Sequence, residues 1–211
     1  MGKRVLITGL STYWGGRLAQ ALEADPDVEV IIGLDTREPK VELERTEYVR
    51  SDENYSILSR IVKATGVDTI AHTFLVVDST QMSSRAMHEI NVIGTMQLLA
   101  DCQKSPGVRR LVVKSTAGVY GSSSRDPVMF SEDNGAKVLP KSGWAKDCVE
   151  VEGYVRGFTR RRPDVEVATL RLASFIGPGV RTPLTDYFAL PVIPTVLGFD
   201  ARLQFVHEDD G

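Results

Sequence analysis

The stretch Val5-Leu6-Ile7-Thr8-Gly9-Leu10-Ser11-Thr12-Tyr13-Trp14-Gly15-Gly16 decides the fold of this chain. A short apolar run leads into a turn that carries three glycines, and Leu18, Ala19 and Leu22 then recur at helical spacing. This order predicts a strand, a tight turn and a helix. In such a unit the turn directs backbone N–H groups and the positive end of the helix at one point, which is where a diphosphate binds.

An acidic residue follows at the spacing that this kind of turn requires. Asp35 ends the next predicted strand, which begins at Val28, and it lies about 20 residues beyond Gly15. A dinucleotide fold places an acid here to accept hydrogen bonds from the adenosine ribose hydroxyls. Because a carboxylate repels a 2′-phosphate, Asp35 predicts NAD rather than NADP; the alternative is an ordinary turn aspartate.

The composition excludes several classes of protein. A chain of 211 residues that is 42% hydrophobic favours one globular domain. Its net charge of −3 argues against nucleic acid and anionic membranes as partners. The two cysteines, Cys102 and Cys148, have no metal-ligand spacing, and no apolar run reaches the length of a membrane span. We therefore predict a cytoplasmic protein with reduced thiols and no metal site.

The rest of the chain alternates between strand and helix patterns. Further strands are predicted over residues 46–49, 67–72, 111–113, 165–172 and 203–207, helices over 54–65, 83–104 and 144–160, and a long loop over 122–141. This alternation predicts an α/β fold, a Rossmann-type doubly wound parallel sheet of about seven strands with helices on both faces. We expect a single domain over residues 1–211.

Polar side chains recur where these strands end, which is the ligand-binding edge of such a sheet. They are Asp35, Asp52, His72, Thr116 and Ser174. Asp52 has two open roles, accepting from an adenine amino group or capping the next helix. Asn91, inside a helix, either bridges the helix backbone and a buried water or joins a proton relay. We expect His72 and His207 to be core histidines and His88 to lie at the surface.

Taken in order, these motifs resemble the extended short-chain dehydrogenase/reductase family, which contains NAD-dependent sugar epimerases and dehydratases. The matching pieces are Thr8-Gly9…Gly15, Asp35, Asp52, the strand ending at His72, Asn91-x-x-Gly94-Thr95, Ser115-Thr116…Val119-Tyr120-Gly121, Lys146, Arg171 through Gly177-Pro178-Gly179, and Phe205-Val206-His207-x-Asp209-Asp210. The resemblance covers nearly the whole chain, although a shared fold does not by itself define a reaction.

The resemblance implies roles for individual residues. In that family a Ser or Thr orients the substrate oxygen, a Tyr exchanges the proton, and a Lys four residues later lowers the pKa of the Tyr and holds the nicotinamide ribose. The corresponding catalytic positions here are Thr116, Ser142 and Lys146. The implied NAD-binding residues are Gly9, Ser11, Thr12, Tyr13, Trp14, Gly15, Asp35, Asp52, Thr73, Asn91 and Lys146.

The chain departs from the family pattern in ways that bear on activity. Ser142 occupies the Tyr position, and a serine hydroxyl gives up its proton far more reluctantly than a phenol. Neither Tyr120 nor Tyr154 is a convincing substitute, because Tyr120 matches a structural turn and Tyr154 lies over two helical turns beyond Lys146. Thr12 replaces the middle glycine of the loop, so we expect weaker NAD binding, which a bond from its hydroxyl to a phosphate could partly offset. Ser174 replaces an Asn that meets substrate in many members.

In the family a substrate-binding portion follows the strand that ends at His207, and this sequence ends just there. We expect either a fragment of a longer protein or a minimal relative, and the ending Asp209-Asp210-Gly211, which is how a next helix would begin, favours a fragment. Three functions remain open on this sequence. The first is redox or epimerase chemistry on a small hydroxyl, carbonyl or sugar-like substrate with an altered proton relay. The second is a non-catalytic NAD-binding sensor or regulatory module, and the third is a scaffold with a vestigial cleft. The resemblance also implies a homodimer, formed through the helices over 83–104 and 144–160.

Overall fold

The computed structural model describes residues 2–51, 57–76, 83–121, 123, 125–126, 129–141, 143–198 and 203–211. Six parallel strands form the main sheet in the order β3-β2-β1-β4-β5-β6. They are β1 (Lys3–Thr8), β2 (Val28–Asp35), β3 (Thr46–Arg50), β4 (Thr69–His72), β5 (Arg110–Thr116) and β6 (Glu166–Leu172). The strand order reverses between β1 and β4, which is the switch point where ligands bind in a doubly wound sheet.

Helices pack against both faces of this sheet, as predicted. Their bounds are α1 (Tyr13–Glu23), α2 (Leu58–Thr65), α3 (Ser84–His88), α4 (Gly94–Gln103), α5 (Gly143–Arg161) and α6 (Pro183–Phe188). On one face Val5, Ile7 and Ile31 pack with Ala19 of α1. On the other, alternate strand residues pack against α2, α4 and α5; they include Leu6, Ile32, Ile70, Leu111 and Val113. The Rossmann-type fold is therefore confirmed.

The prediction of about seven strands in one sheet was wrong for the last strand. β8 (Phe205–His207) pairs with a short strand that we did not predict, β7 (Ser174–Ile176), and the two form a separate parallel ribbon. The predicted core position of His207 was wrong as well, because His207 lies on this separate ribbon and is exposed. The short helix α6 was also not predicted.

The helix predicted over residues 83–104 is one run with an irregular turn at its centre. α3 passes through a π turn, Glu89–Ile93, into α4. Asn91 lies in this turn with its side chain buried. A π turn inserts one extra residue and occurs mostly near functional sites.

An apolar groove remains on the α1 side of the sheet, over β5 and β6. A cavity of 730 Å³ is lined there by residues that include Val112, Leu170 and Leu172. Leu170 is 46% exposed. Lys114 lines the same cavity, and burial lowers its pKa to about 8.

His72, at the end of β4, is a core histidine, as predicted. Its Nδ1 lies 2.6 Å from the Thr8 hydroxyl and its Nε2 lies 2.9 Å from the Thr95 hydroxyl. Thr95 donates its own proton to the Asn91 carbonyl, so Nε2–H must be the donor to Thr95 and Nδ1 the acceptor from Thr8. Burial lowers the pKa of His72 to about 4, which agrees with a neutral ring.

This burial predicts a loss of stability in mild acid. In the unfolded chain His72 becomes protonated below pH 6.5, whereas in the folded chain it stays neutral until about pH 4. The free energy of unfolding is therefore highest above pH 6.5 and decreases as the pH falls from 6.5 to about 4. The expected contribution is about 3 kcal/mol. Denaturant unfolding at a series of pH values should show a shallower slope in His72→Gln. His207→Gln, an exposed control, should keep the slope of the parent; equal slopes in all three proteins would contradict the prediction.

Candidate functional site

The glycine loop between β1 and α1 is built on a close approach of two backbone segments. A Cβ on Gly15 would lie 2.1 Å from the carbonyl oxygen of Gly9, so only glycine fits at position 15. Gly9 itself has a φ of +81°, a conformation that favours glycine. The loop therefore brings the N-terminus of α1 against the end of β1, as the sequence predicted.

Thr12 acts as the N-cap of α1. Its hydroxyl accepts from the Gly15 N–H at 3.1 Å and donates to the Gly9 carbonyl at 2.6 Å. Its φ of −73° and ψ of 156° are ordinary extended values, so the threonine fits this turn without backbone strain. Because the hydroxyl proton is used inside the loop, it is not directed at a phosphate in this structure.

Asp35 lies next to the loop at the end of β2, buried to 4% exposure. Its Oδ2 accepts from the Ser11 N–H at 2.8 Å, and its Oδ1 accepts from the Arg37 N–H at 3.2 Å. The carboxylate thus joins the glycine loop to the β2 edge. Oδ1 also accepts from the Thr36 hydroxyl at 3.4 Å, so Oδ2 is the oxygen that can accept a further hydrogen bond from a ribose hydroxyl.

The side chains of Tyr13 and Trp14 pack against the β7–β8 ribbon. The Tyr13 hydroxyl donates to the Glu208 carboxylate, which raises the pKa of Tyr13 and lowers that of Glu208. Glu208 also accepts from the Gly179 N–H at 2.9 Å. The Trp14 and Phe175 rings lie 3.8 Å apart between centroids. Glu208 was not singled out by the sequence analysis; it is the unspecified residue between His207 and Asp209 in the quoted motif.

The segment after β4 lies against the same loop. Thr73 is buried, and its hydroxyl donates to the Thr8 carbonyl at 2.9 Å. Asn91 holds the other end of the segment, because its Oδ1 accepts from the Val76 N–H at 2.8 Å and its Nδ2 donates to the Val76 carbonyl at 2.9 Å. Its Nδ2 also lies 3.3 Å from Asp147 Oδ2. Asn91 therefore fixes the chain beside the cleft and links it to α5.

Thr116 ends β5 at the same edge of the sheet, where a 3₁₀ turn, Ala117–Tyr120, begins. Its hydroxyl accepts from the Gly118 N–H at 3.3 Å. The structure thus brings the glycine loop, Asp35, Thr73 and Thr116 to one edge. Asp52 and Ser142, two further predicted site residues, lie outside the described residues.

Lys146 lies on the outer side of α5. Its side chain is 44% exposed and its Nζ lies 3.4 Å from Glu150 Oε1. It lines a cavity of 330 Å³ beside α3 with His88, Lys141 and Asp147. His88, predicted at the surface, is 37% exposed in its side chain, and its Nδ1 lies 2.8 Å from Asp147 Oδ1.

An ion pair between the buried Glu152 and the half-buried Arg171, which the sequence analysis did not predict, lies beneath the Thr116 end of the cleft. Glu152 of α5 accepts from Arg171 Nε at 3.0 Å and from its NH2 at 2.8 Å, and it accepts from the Ser115 hydroxyl at 2.7 Å. Arg171 also donates to the Tyr120 hydroxyl at 3.1 Å and to the Glu132 carbonyl at 2.8 Å. The pair joins β5, β6, α5 and the long loop, and it uses Tyr120 in a structural role.

Removing this carboxylate should destabilise the fold strongly. Glu152→Gln leaves the Arg171 guanidinium without its counter-charge, and we expect a loss of about 3 kcal/mol in the free energy of unfolding. Glu150→Gln, two residues earlier on the same helix, removes only a half-exposed contact and should change stability by less than about 0.5 kcal/mol. Denaturant unfolding of both variants measures the difference. Equal, small losses in both would mean that the buried pair contributes little.

Two further properties concern the described residues as a whole. No helix there is long and apolar enough to cross a membrane. No cluster of three or more histidine, cysteine or acidic side chains that could hold a metal ion occurs in those parts of the chain.

The fold and the site define a Rossmann-type dinucleotide-binding protein, and comparisons with known proteins narrow the class. The family model described as NAD dependent epimerase/dehydratase family matches residues 5–195. The chain belongs to the NAD-dependent epimerase/dehydratase family. This confirms the resemblance inferred from the motifs, including NAD as the cofactor of the family.

Individual relatives are longer than this chain. An uncharacterized protein of Mycobacterium tuberculosis is 43% identical over 213 residues, which covers 99% of this chain and 57% of that protein. UDP-glucose 4-epimerase of Streptomyces lividans is 30% identical over 162 residues, 74% of this chain and 48% of the relative. The dTDP-glucose 4,6-dehydratase DesIV of Streptomyces venezuelae, solved with NAD and TYD bound, is 28% identical with a TM-score of 0.69, covering 83% of this chain and 57% of that one.

Proposed function

We propose that this protein binds NAD at the carboxyl edge of its sheet and uses it in redox or epimerase chemistry on a small, sugar-like hydroxyl or carbonyl substrate. The observation that carries the proposal is the bond between the Ser11 N–H and the Asp35 carboxylate, which joins the glycine loop to the predicted ribose acid. The family match supports the class of reaction. The substrate class is supported by relatives such as the Streptomyces lividans UDP-glucose 4-epimerase.

The residues present fit an NAD molecule. Gly15 carries no side chain in the first turn of α1, and the Tyr13 and Trp14 side chains pack away against Glu208 and Phe175, which suits a diphosphate. Asp35 would accept from the adenosine ribose hydroxyls, and its charge would oppose the 2′-phosphate of NADP. NAD, when bound, supplies the nicotinamide that accepts or returns the hydride.

The chain's own part in the reaction concerns the substrate oxygen and its proton. Thr116 would orient that oxygen through its hydroxyl, and Lys146 would hold the nicotinamide ribose after leaving Glu150. That exchange is inexpensive, because a half-exposed ion pair contributes less than about 1 kcal/mol. With Ser142 in place of a phenol, the proton relay must differ from that of the family, with a water between Ser142 and Lys146 as one route.

A second candidate is a non-catalytic NAD-binding sensor or regulatory module. The observation that favours it is the position of Lys146 on the outer side of α5, paired with Glu150. In this function the cleft binds NAD, and no proton transfer takes place. A vestigial cleft, the third reading, would bind no dinucleotide.

We further propose that residues 1–211 are the NAD-binding domain of a longer protein. The chain spans 57% of the length of the Mycobacterium tuberculosis relative. The apolar groove over β5 and β6 supports the proposal, because a buried parallel sheet normally has both faces covered. Substrate specificity would then reside largely in the additional portion.

A homodimer in the cytoplasm completes the proposal. Ile93, Met96 and Tyr154 are each more than one third exposed, and they lie on the helix pair that the resemblance implies as the interface. Both cysteines are free and buried, which is consistent with a reducing compartment.

NAD should stabilise the folded chain, and Asp35 should set its preference over NADP. At about a hundredfold excess over Kd, NAD should raise the free energy of unfolding by about 2.7 kcal/mol. Asp35→Asn, which removes the charge at nearly constant shape, should reduce the ratio of NAD to NADP affinity. Calorimetric titration measures both affinities, with the exposed Asp27→Asn as the matched control. If neither NAD nor NADP shows saturable binding up to millimolar concentration, the result would favour the vestigial cleft instead.

Hydride transfer separates the enzyme from the sensor. Incubation with NAD and either simple alcohols or UDP-sugars should produce the absorbance of reduced nicotinamide. Thr116→Val, which lacks the orienting hydroxyl, should lose roughly a hundredfold or more in rate with an unchanged affinity for NAD. A longer chain that binds NAD tightly yet reduces none of it with any substrate would support the sensor.

A further inference from the structure

Two pairs of residues near the start of α5 are spaced four apart, as the family's Tyr and Lys are. One pair is residues 142 and 146, assigned from the sequence; the other is Trp144 and Cys148. Residues four apart share a helix face, whereas residues two apart are rotated by about 200° and lie on nearly opposite faces. Lys146, two residues from both Trp144 and Cys148, therefore cannot be directed at the cleft together with them.

The structure directs the second pair toward the strand ends. Cys148 is 1% exposed and forms a buried cluster with Val119 and Tyr120 of the turn after β5. Trp144 packs against that cluster, as does Leu75 of the segment after β4. Both strand-end segments border the proposed nicotinamide end of the cleft. Lys146, rotated away, is half-exposed and paired with Glu150.

Trp144 also lies directly beside the predicted catalytic threonine. A Cβ on Gly118 would be 2.6 Å from the Trp144 Cη2 atom and 3.7 Å from the Thr116 Cγ2 atom. Glycine at position 118 therefore makes room for the indole. The ring edge covers the turn that begins at Thr116.

We propose that Trp144 and Cys148, rather than Lys146, are the α5 residues at the reacting end of the cleft. Trp144 provides an aromatic surface that contacts the nicotinamide ring or the sugar of the substrate. Cys148, one turn later, places a neutral thiol where the family carries a cation. This rests on the proposed binding of NAD and replaces the assignment of Lys146 to the nicotinamide ribose.

The chemistry of the two side chains restricts the proton relay. An indole N–H donates a hydrogen bond but is not acidic enough to give up its proton near neutral pH. The buried thiol carries no positive charge. α5 therefore supplies no proton-transferring pair. Any proton exchanged with a substrate must pass through Thr116, through water or through a residue outside α5.

Comparing NADH with ADP-ribose tests the assignment, because ADP-ribose lacks the nicotinamide. Calorimetric titration of Trp144→Ala should show NADH binding weakened roughly five- to tenfold with ADP-ribose affinity unchanged. Glu150→Gln, the matched control on the outer side of α5, should change both affinities by less than about twofold. The reverse pattern, in which only Lys146→Ala weakens NADH selectively, would overturn the assignment.

Two further variants guard against a folding defect. Gly118→Ala would displace the indole from the other side and should give the same selective loss for NADH. Trp144→Phe preserves most of the packing and should give a smaller loss; the melting temperature of each variant is measured alongside. Equal losses for NADH and ADP-ribose would overturn the placement of Trp144 at the nicotinamide end. If the parent binds ADP-ribose and NADH equally weakly or not at all, the proposed function itself fails and this assignment fails with it.

Discussion

The close backbone approach of Gly15 to the Gly9 carbonyl is the constraint on which the rest of the cleft depends. A Cβ at position 15 would lie only 2.1 Å from that oxygen, so no side chain fits there. Once α1 begins so near the end of β1, Thr12 can cap the helix and the Ser11 N–H can reach Asp35. The Gly9–Gly15 contact thus places Asp35 against the loop, although Asp35 is not part of that contact. The proposed diphosphate and ribose subsites therefore depend on the same backbone arrangement.

The Glu152–Arg171 pair holds together the elements on the Thr116 side of the cleft. It connects α5 to β5 and β6 and fixes Tyr120 and Glu132 from the same guanidinium. A buried charge such as that of Glu152 is costly unless it is paired and hydrogen-bonded, and here Arg171 and the Ser115 hydroxyl supply its partners. Such a pair favours one register of α5 on the sheet, and that register decides which residues of α5 meet the turn after Thr116.

The sequence predicted the sheet, its order of elements and the glycine loop because each depends on local periodicity or on a short, sterically demanding motif. Asp35 was predictable for the same reason, since its spacing from Gly15 reflects the length of one βαβ step. The position of Lys146 was not predictable in this way. A spacing of four identifies a helix face, yet the direction of that face depends on Glu152 and Phe158, which contact residues far away in the chain. The pairing of β7 with β8 likewise depends on Tyr13, Trp14 and Glu208, contacts that no local pattern reveals.

Binding a dinucleotide and catalysing a reaction with it require different chemical groups. In this chain the two proposed sets of groups lie on different structural elements. The proposed binding set consists of backbone N–H groups and the Asp35 carboxylate at the β1–α1 turn, where Thr12 keeps an ordinary backbone conformation. The proposed chemical set would come from α5 and β5, where Trp144 and Cys148 pack against the turn that follows Thr116. Neither of these carries a charge at neutral pH, since burial raises the pKa of Cys148 to about 12. Lys114, two residues before Thr116 on β5, is partly buried, and this burial lowers its pKa to about 8. The electrostatics at the reacting end thus differ from those of a phenol held beside a fixed positive charge, while the dinucleotide loop remains intact.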